Sequence, residues 1–389
     1  MFKQYCLFLA CVCMTVSTTI GQQLNASKAL NAAEPQVLHL LAEVEKQELD
    51  PLHFPRTIQH DSLKLVVSRD WTSGFWPGIL WLMYEHSGKS SFKASAEKFT
   101  GLMVKERTNN DSHDVGFKVY CSYGNGYRLT QGTEYRDAII EAAATLATRF
   151  NSRIGSIRSW NNKAWAYPVI IDNMMNLELL FAATKLSGDS SFYKIAVTHA
   201  NTTLKNHYRP DFSSYHVVDY DSLSGNIIRK NTAQGYADES AWARGQAWGL
   251  YGFTMCYRET KDVRYLRQAE GIAGFILNHP NLPSDLIPLW DHDVPEKNGA
   301  ARDVSAAAIT ASALLELGNY SKNRGRYFNT AKDILESISK NYRSPLRENY
   351  GFILLHSTGH KPVESEVDTP LIYADYYYLE ALLRAKKMK

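Results

Sequence analysis

The chain has 389 residues, 44% of them hydrophobic and 21% charged, enough apolar material for one large core or two ordinary ones. Its 43 basic and 40 acidic residues leave a net charge of +3, which excludes capture of nucleic acid or an anionic membrane by a global field. Anion recognition must therefore be local, and 8 Trp with 23 Tyr supply aromatic material for core packing or for flat sugar platforms.

The first segment, MFKQYCLFLACVCMTVSTTIGQQ, sets Lys3 ahead of an apolar run from Tyr5 to Val16, then small residues. That order reads as a secretory signal over 1–21, too short for a convincing membrane span, and leaves a single domain over 22–389. FLAC at 8–11 is a poor lipoprotein signal, because the run before Cys11 is short. The expected location is therefore periplasmic. Three of the five cysteines fall inside the signal. Cys121 and Cys256 remain, and they read as buried thiols rather than as a disulfide scaffold, although an oxidising compartment would permit pairing.

Next comes DWTSGFWPGILWLMYE (70–85), with Trp71 and Trp76 ahead of a helix and Pro77 in its first turn. These aromatics suit core or platform equally. In RDAIIEAAATLATRF the apolar residues Ile139, Ala143, Leu146 and Phe150 recur at helical spacing. MMNLELLFAATKLSG repeats the pattern through Met175, Leu179, Ala182 and Leu186, and Gly188 stops it. Strand-like alternation is scarce, with FSSYHVVDY (212–220) the best candidate.

A weak repeat runs through the chain. YEHSGKSSFKASAEKF from Tyr84, TKLSGDSSFYKIAVTHA from Thr184, YRETKDVRYLRQAEGI from Tyr257 and ELGNYSKNRGRYFNTAKDI from Glu316 share one plan, and LTQGTEYRDAIIEAA from Leu129 is a fainter copy. Each has a helix ending, a small polar turn, an aromatic and a second helix. About twelve helices fit, which is six stacked hairpins. They could form an open solenoid or close into an all-α toroid, and the lack of a polar terminal repeat favours closure.

Candidate chemistry sits between these helices. SHDVGF places His113 and Asp114 side by side. Asp172 in YPVIIDNMMN follows an apolar run and opens a helix, so it is either an N-cap or a carboxylate in an aromatic pocket. The two aspartates stand about one repeat apart and could emerge on one rim, as paired carboxylates for acid and base work on sugars. In AQGYADESAWARGQAWGLYGF, helical spacing puts Ser240, Arg244 and Trp248 on one face, where a guanidinium beside an indole suits an acidic sugar. Gln234 and His216 add polar groups nearby. WDHDVP (290–295) lacks a partner at metal-binding spacing, and no phosphate loop, nucleophile elbow or dinucleotide fingerprint appears. No metal or cofactor is expected.

In order, SHDVGF, IIDNMMN, WARGQAWGLYGF, WDHDVP and YADYYYLEALLR resemble the family 88 glycoside hydrolases, the unsaturated glucuronyl hydrolases. The resemblance spans roughly Trp71 to Leu383. It implies an (α/α)6 barrel and an oligosaccharide substrate with a 4,5-unsaturated uronic acid at its non-reducing end, as polysaccharide lyases leave on glycosaminoglycan fragments. It implies hydration of a vinyl ether, with Asp172 as acid and base and Asp114 holding ring hydroxyls and developing charge. His113 is Asp114's neighbour in the motif. The resemblance places His216 and Gln234 near the glycosidic oxygen and the water, Arg244 at the uronate carboxylate, and Trp71 or Trp76 under the sugar. A C-terminal loop, HSTGHKPVESEVDTP (356–370), offers Ser357, Thr358, His360 and Lys361 to a sulfate. Its pattern leaves heparin-type and chondroitin-type substrates both open. The rival readings are a rhamnogalacturonyl hydrolase acting on pectin fragments, a non-catalytic uronate-binding toroid, and a sugar epimerase.

Overall fold

The structure, a computed structural model, describes residues 24–51 and 53–388, so the expected signal over 1–21 lies outside the described residues. Helices dominate. An outer helix, α1 (Ala26–Glu45), opens the fold. Inner–outer pairs follow: α2 (Phe75–Ser87) with α3 (Ser90–Gly101), then α4 (Val115–Val119) running through a π turn at Tyr120–Gly124 into α5 (Asn125–Thr130), paired with α6 (Thr133–Ala147). The next are α7 (Asn173–Ser187) with α8 (Ser190–Asn206), α9 (Ala243–Thr260) with α10 (Val263–Asn278), and α11 (Val304–Leu317) with α12 (Arg324–Asn341). The last inner helix, α13 (Ile372–Lys387), packs against α1 and α2. Each inner helix touches the next, and α13 returns to α2, so the hairpins close into a toroid rather than a solenoid.

The five repeat segments are the turns that join inner to outer helices. Left-handed caps at Gly88, Gln131, Gly188 and Lys261 end four inner helices. Asp189 and Asp262 start the following outer helices, each accepting a backbone N–H two residues on. The inner helices are buried around much of their circumference: every residue of α11 is buried, and α9 is buried from Ala243 to Cys256. The outer helices bury one stripe, as Tyr265, Ala269, Ile272 and Ile276 do on α10.

Three departures from sequence periodicity have simple causes. Phe150 continues the helical spacing, but α6 ends at Ala147 and Phe150 pairs with Ile157 in a two-residue strand, β3 (Phe150–Asn151) with β4 (Ser156–Ile157). Ser240 lies ahead of α9 rather than on it, where its hydroxyl donates to Asp291 Oδ2 (2.7 Å). The hairpin β1 (Phe54–Gln59) and β2 (Ser62–Val66) turns at His60 and Asp61, both with positive φ, without the glycine that usually marks such a turn. The strand candidate at 212–220 is realised as β6 (Val217–Tyr220), flanked in one sheet by β5 (Pro168–Ile170) and β7 (Ile227–Asn231). Cys121 and Cys256 are both buried free thiols.

Aromatic side chains divide the lumen. Phe117 contacts Trp248 (5.1 Å between centroids), Trp248 contacts Tyr377 (5.3 Å), and Tyr377 contacts Tyr376 (5.0 Å). Below this floor, toward the inner-helix C-termini, lies a cavity of about 400 Å³ walled by Glu85, Arg128, Glu178, Arg258, Glu380 and Arg384. Its charges pair with one another and with Glu316: Arg258 donates to both Glu316 oxygens (2.8 and 3.0 Å) and to Glu178, and Arg384 bridges Glu316 and Glu380. The other face carries the inner-helix N-termini, where the candidate residues gather.

Candidate active site

The stretch SHDVGF explains itself in three dimensions. The His113 backbone N–H donates to Ser159 O (3.0 Å), and Gly116 lets α4 lie against α7, since a Cβ there would meet Asn176 Cα at 2.5 Å. Asn176 Oδ1 takes the Phe117 N–H (2.9 Å), which turns its amide nitrogen to His113 Nδ1 (3.2 Å). With Nδ1 accepting, the His113 proton sits on Nε2, 3.4 Å from Asp114 Oδ1. Burial holds the His113 pKa below its ordinary value against the pull of Asp114, so the ring is neutral near pH 7. Asn176 was not apparent from the sequence; its place four residues beyond Asp172 is the only signal.

Asp114 and Asp172 begin α4 and α7, yet neither side chain caps its helix. The contrast with Asp189, Asp262 and Asp303, which all cap, removes the structural reading of Asp172. Asp172 is 8% exposed, and its Oδ2 has no protein hydrogen-bond partner. Burial pushes its carboxyl up to about 7; Arg244 and the nearby Trp248 indole N–H pull it down, and Asp114 adds to the rise. Burial therefore outweighs the pull of a helix N-terminus.

His216 precedes β6 and faces Asp172 across 3.8 Å from Nε2 to Oδ2. Its Nδ1 accepts the backbone N–H groups of Ala233 (3.1 Å) and Gln234 (3.2 Å), which puts the proton on Nε2, toward the carboxyl. Trp242 packs against the ring at a tilt (4.6 Å between centroids) and Trp160 meets it edge-on (6.0 Å). Burial and the Arg244 charge keep the imidazole pKa well below its ordinary range. His216 is thus a fixed neutral donor.

Arg244 and Trp248 share a face of α9, as their spacing requires, and both are buried. The Arg244 fork is largely occupied. Nη1 donates to Asp303 Oδ2 (2.8 Å) and to Thr358 O, and Nη2 donates to Gly359 O (2.7 Å). Trp242 (4.4 Å) and Tyr373 (5.3 Å) lie under the guanidinium, and Nε has no protein partner. Buried polar atoms almost always find partners. Here Asp172 Oδ2, His113 Nε2, His216 Nε2, Arg244 Nε and Trp248 Nε1 lack them, all in one region. Such a cluster is built for a polar ligand rather than for stability.

The remaining candidates divide. Trp71 is half-buried beside Tyr373 (4.9 Å) at the rim, a position suited to a platform. Trp76 is not a platform: it is wholly buried and packs edge-on against Phe99 of α3, because the helix starts one residue before it and turns it outward from the lumen. Trp76→Ala is therefore expected to cost about 3–5 kcal/mol of stability with KM unchanged, and Trp71→Ala to raise KM with little change in the melt; thermal melts beside steady-state kinetics check both.

Gln234 donates to Gly359 O (3.0 Å), tying its segment to the C-terminal loop. In that loop Ser357 pairs with Thr369 through the backbone in both directions, which turns residues 357 and 358 inward. Ser357 and Thr358 are buried, and the Thr358 hydroxyl donates to Arg302 O (2.8 Å), so Thr358 is not open to a sulfate. His360 is committed as well, its Nε2 bonded to Ala233 O (2.8 Å). Lys361 stays half-exposed, paired with Glu364 at 2.5 Å. Arg56 anchors the loop by gripping Glu366 with two nitrogens (2.6 and 2.9 Å) while holding Asp70 (2.7 Å), just before Trp71. WDHDVP serves structure: buried Asp291 accepts from Tyr236 N (2.9 Å) and Ser240 Oγ (2.7 Å). Among the described residues no cluster of His, Cys, Asp and Glu has metal-binding geometry.

A buried protonatable carboxyl, flanked by a second and faced by neutral donors at one mouth of a helical toroid, fits one class of protein, the α/α-barrel glycoside hydrolases. The sequence profile of Glycosyl Hydrolase Family 88 matches residues 48–380, and the chain belongs to that family. An unsaturated glucuronyl hydrolase of Formosa agariphila is 50% identical over 342 residues, 86% of this chain and 85% of the relative. An unsaturated chondroitin disaccharide hydrolase of Streptococcus pneumoniae is 34% identical over 86% of each chain. Among solved structures, an unsaturated glucuronyl hydrolase specific for heparin superposes with a TM-score of 0.90 at 48% identity, covering 93% of this chain and 97% of that one. The Bacillus sp. GL1 unsaturated glucuronyl hydrolase gives 0.87 at 31% identity with the same coverage. The protein is an enzyme with the expected (α/α)6 fold.

Proposed function

We propose that the enzyme releases a 4,5-unsaturated uronic acid from the non-reducing end of lyase-generated glycosaminoglycan oligosaccharides by hydrating its vinyl ether. One observation carries the residue assignment: Asp172 is buried, does not cap its helix, and holds its proton up to about pH 7. Its proton goes to C4, and water adds at C5 while returning a proton to the carboxylate. The resulting hemiketal opens at the ring oxygen, which leaves a ketone at C5 and a hemiacetal at C1, and that hemiacetal collapses to an aldehyde and releases the neighbouring sugar. One water is consumed and Asp172 is regenerated. No glycosyl-enzyme intermediate forms, so carboxylate spacing carries no stereochemical meaning here.

In this reading His216 Nε2–H orients the water or the Asp172 carboxylate, Asp114 with His113 holds ring hydroxyls, and Arg244 Nε with Trp248 Nε1 receives the uronate. Trp71 stacks on the ring. The leaving saccharide runs past Gln234 to a groove lined by Tyr236 and Trp290, where Arg302 and Lys361 stand with Glu296 and Asp368; the aromatics suit a sugar face and half-exposed Lys361 a sulfate. A heparin-type fragment is the preferred substrate in this reading, supported by 48% identity to the heparin-specific enzyme against 34% to the chondroitin disaccharide hydrolase. Export to the periplasm, where such fragments would arrive, rests on the leader sequence alone.

The conjugated uronate absorbs ultraviolet light, and hydration destroys that chromophore. Unsaturated disaccharides from heparin, chondroitin and pectin are incubated side by side with the enzyme. Absorbance is expected to fall fastest with heparin. Absorbance that persists on every fragment, despite binding, returns the toroid or epimerase reading; loss confined to pectin fragments returns the rhamnogalacturonyl one.

A further inference from the structure

Asp303 is wholly buried and does two jobs with its two oxygens. Oδ1 caps α11, accepting from Ser305 N (3.1 Å), Ala306 N (3.3 Å) and Ser305 Oγ (2.5 Å). Oδ2 takes Arg244 Nη1 (2.8 Å), and the ion pair is 1% and 0% exposed on its two sides. Helix capping alone needs no second oxygen and no charge; asparagine or serine would serve. A buried guanidinium, in contrast, needs a counter-charge, and Asp303 is the carboxylate bonded to it. Its rotamer is also fixed, because Nη1 and Nη2 are spent on Asp303 and on the Thr358 and Gly359 carbonyls.

We propose that Asp303 is a positioning residue for the reaction: it fixes the Arg244 guanidinium so that Nε stays free for substrate, and it offsets the Arg244 charge beside Asp172. The inference rests on Asp172 being the acid. Asp172 is faced by Asp114 and His113 from the start of α4, by His216 ahead of β6, and by Arg244 and Trp248 from α9. Arg244 is faced by Asp303 from α11 and Tyr373 from α13, and His360 of the C-terminal loop acts on His216. Within this set Arg244 is the cation that opposes a proton on Asp172, so its counter-charge matters to the acid.

The test is the pH profile of kcat/KM for Asp303→Asn, which keeps a capping oxygen and loses the charge. With the Arg244 charge uncompensated, Asp172 loses its proton at lower pH, and the alkaline limb moves down, by less than the roughly one to three units of a charge in direct contact because Asp303 reaches Asp172 through Arg244; KM rises as the guanidinium loosens. Ser305→Ala removes one hydroxyl from the cap and leaves the charge, so it is expected to lower the melting temperature without moving the limb. If Asp303→Asn fails to fold, Asp303→Ser, a neutral cap of another shape, must move the limb the same way. A limb that stays in place in a folded neutral variant, whatever the melt does, overturns the proposal. A wild-type profile with no alkaline limb, or an active Asp172→Asn enzyme, would instead overturn the reading of Asp172 itself.

Discussion

Replacing Asp172 with asparagine is expected to stop turnover while leaving substrate bound, and to make the folded protein more stable at pH 8. General acid–base groups contribute about 10²–10⁴-fold to rate, and in the proposed mechanism one carboxyl both gives the proton and activates the water, so the expected loss lies at the upper end or beyond. Binding persists because His113, His216, Trp248 and Arg244 Nε keep their unpaired donors. The stability change follows from proton linkage. The folded Asp172 holds its proton to about pH 7, whereas an unfolded aspartate releases it near pH 4. Between those values the unfolded chain has shed a proton that the folded chain keeps, so stability falls as pH rises, by about 1.4 kcal/mol per unit and of order 4 kcal/mol in all. Above pH 7 the penalty is constant. Asparagine carries no such penalty. Buried Asp375, pushed up to about 8, adds a similar slope to both proteins and cancels in the comparison. Melts of both proteins at pH 5 and pH 8 should diverge with rising pH, the variant higher. Parallel melts, or measurable hydration by the variant, would remove Asp172 from the role of acid.

That penalty shows why the helices were easier to read than the site. The turns joining inner and outer helices repeat because each must stop one helix and start another with a few residue types: a left-handed cap at Gly88 or Gly188, an N-cap at Asp189 or Asp262. Closure leaves no comparable local mark, since contact between α13 and α2 joins segments far apart in the chain. The carboxylates were legible as helix openers, but only the fold shows that Asp172 and Asp114 leave their caps unmade. Trp71 and Trp76 are chemically alike and five residues apart, and one helical start separates rim from core. Asp303 carries no mark of its own in the sequence, because RDVSAAA reads as an ordinary capped helix, and its second oxygen acquires meaning only when α9 brings Arg244 to it. The loop hydroxyls look solvated in a polar sequence, and only the backbone pairing turns residues 357 and 358 inward.

Arg244→Met is expected to destabilise the fold by about 3–5 kcal/mol, the usual cost of stranding one member of a buried ion pair. Methionine replaces most of the aliphatic volume but none of the donors. Asp303 is left buried without its counter-charge, and the carbonyls of Thr358 and Gly359 lose the guanidinium that ties the C-terminal loop to α9. The double variant with Asp303→Asn separates fold from function. With both charges gone the desolvation cost of the pair disappears too, so much of the lost stability returns. Activity is not expected to return, because Trp248 Nε1 then faces the uronate without the guanidinium that the proposed mechanism sets beside it. Thermal melts and absorbance assays on the two single variants and the double variant supply the cycle. A single Arg244→Met variant that melts like the wild type would mean the pair contributes nothing to the fold. A double variant that recovers turnover together with stability would mean that Arg244 acts only as a prop for the loop and never meets the sugar acid.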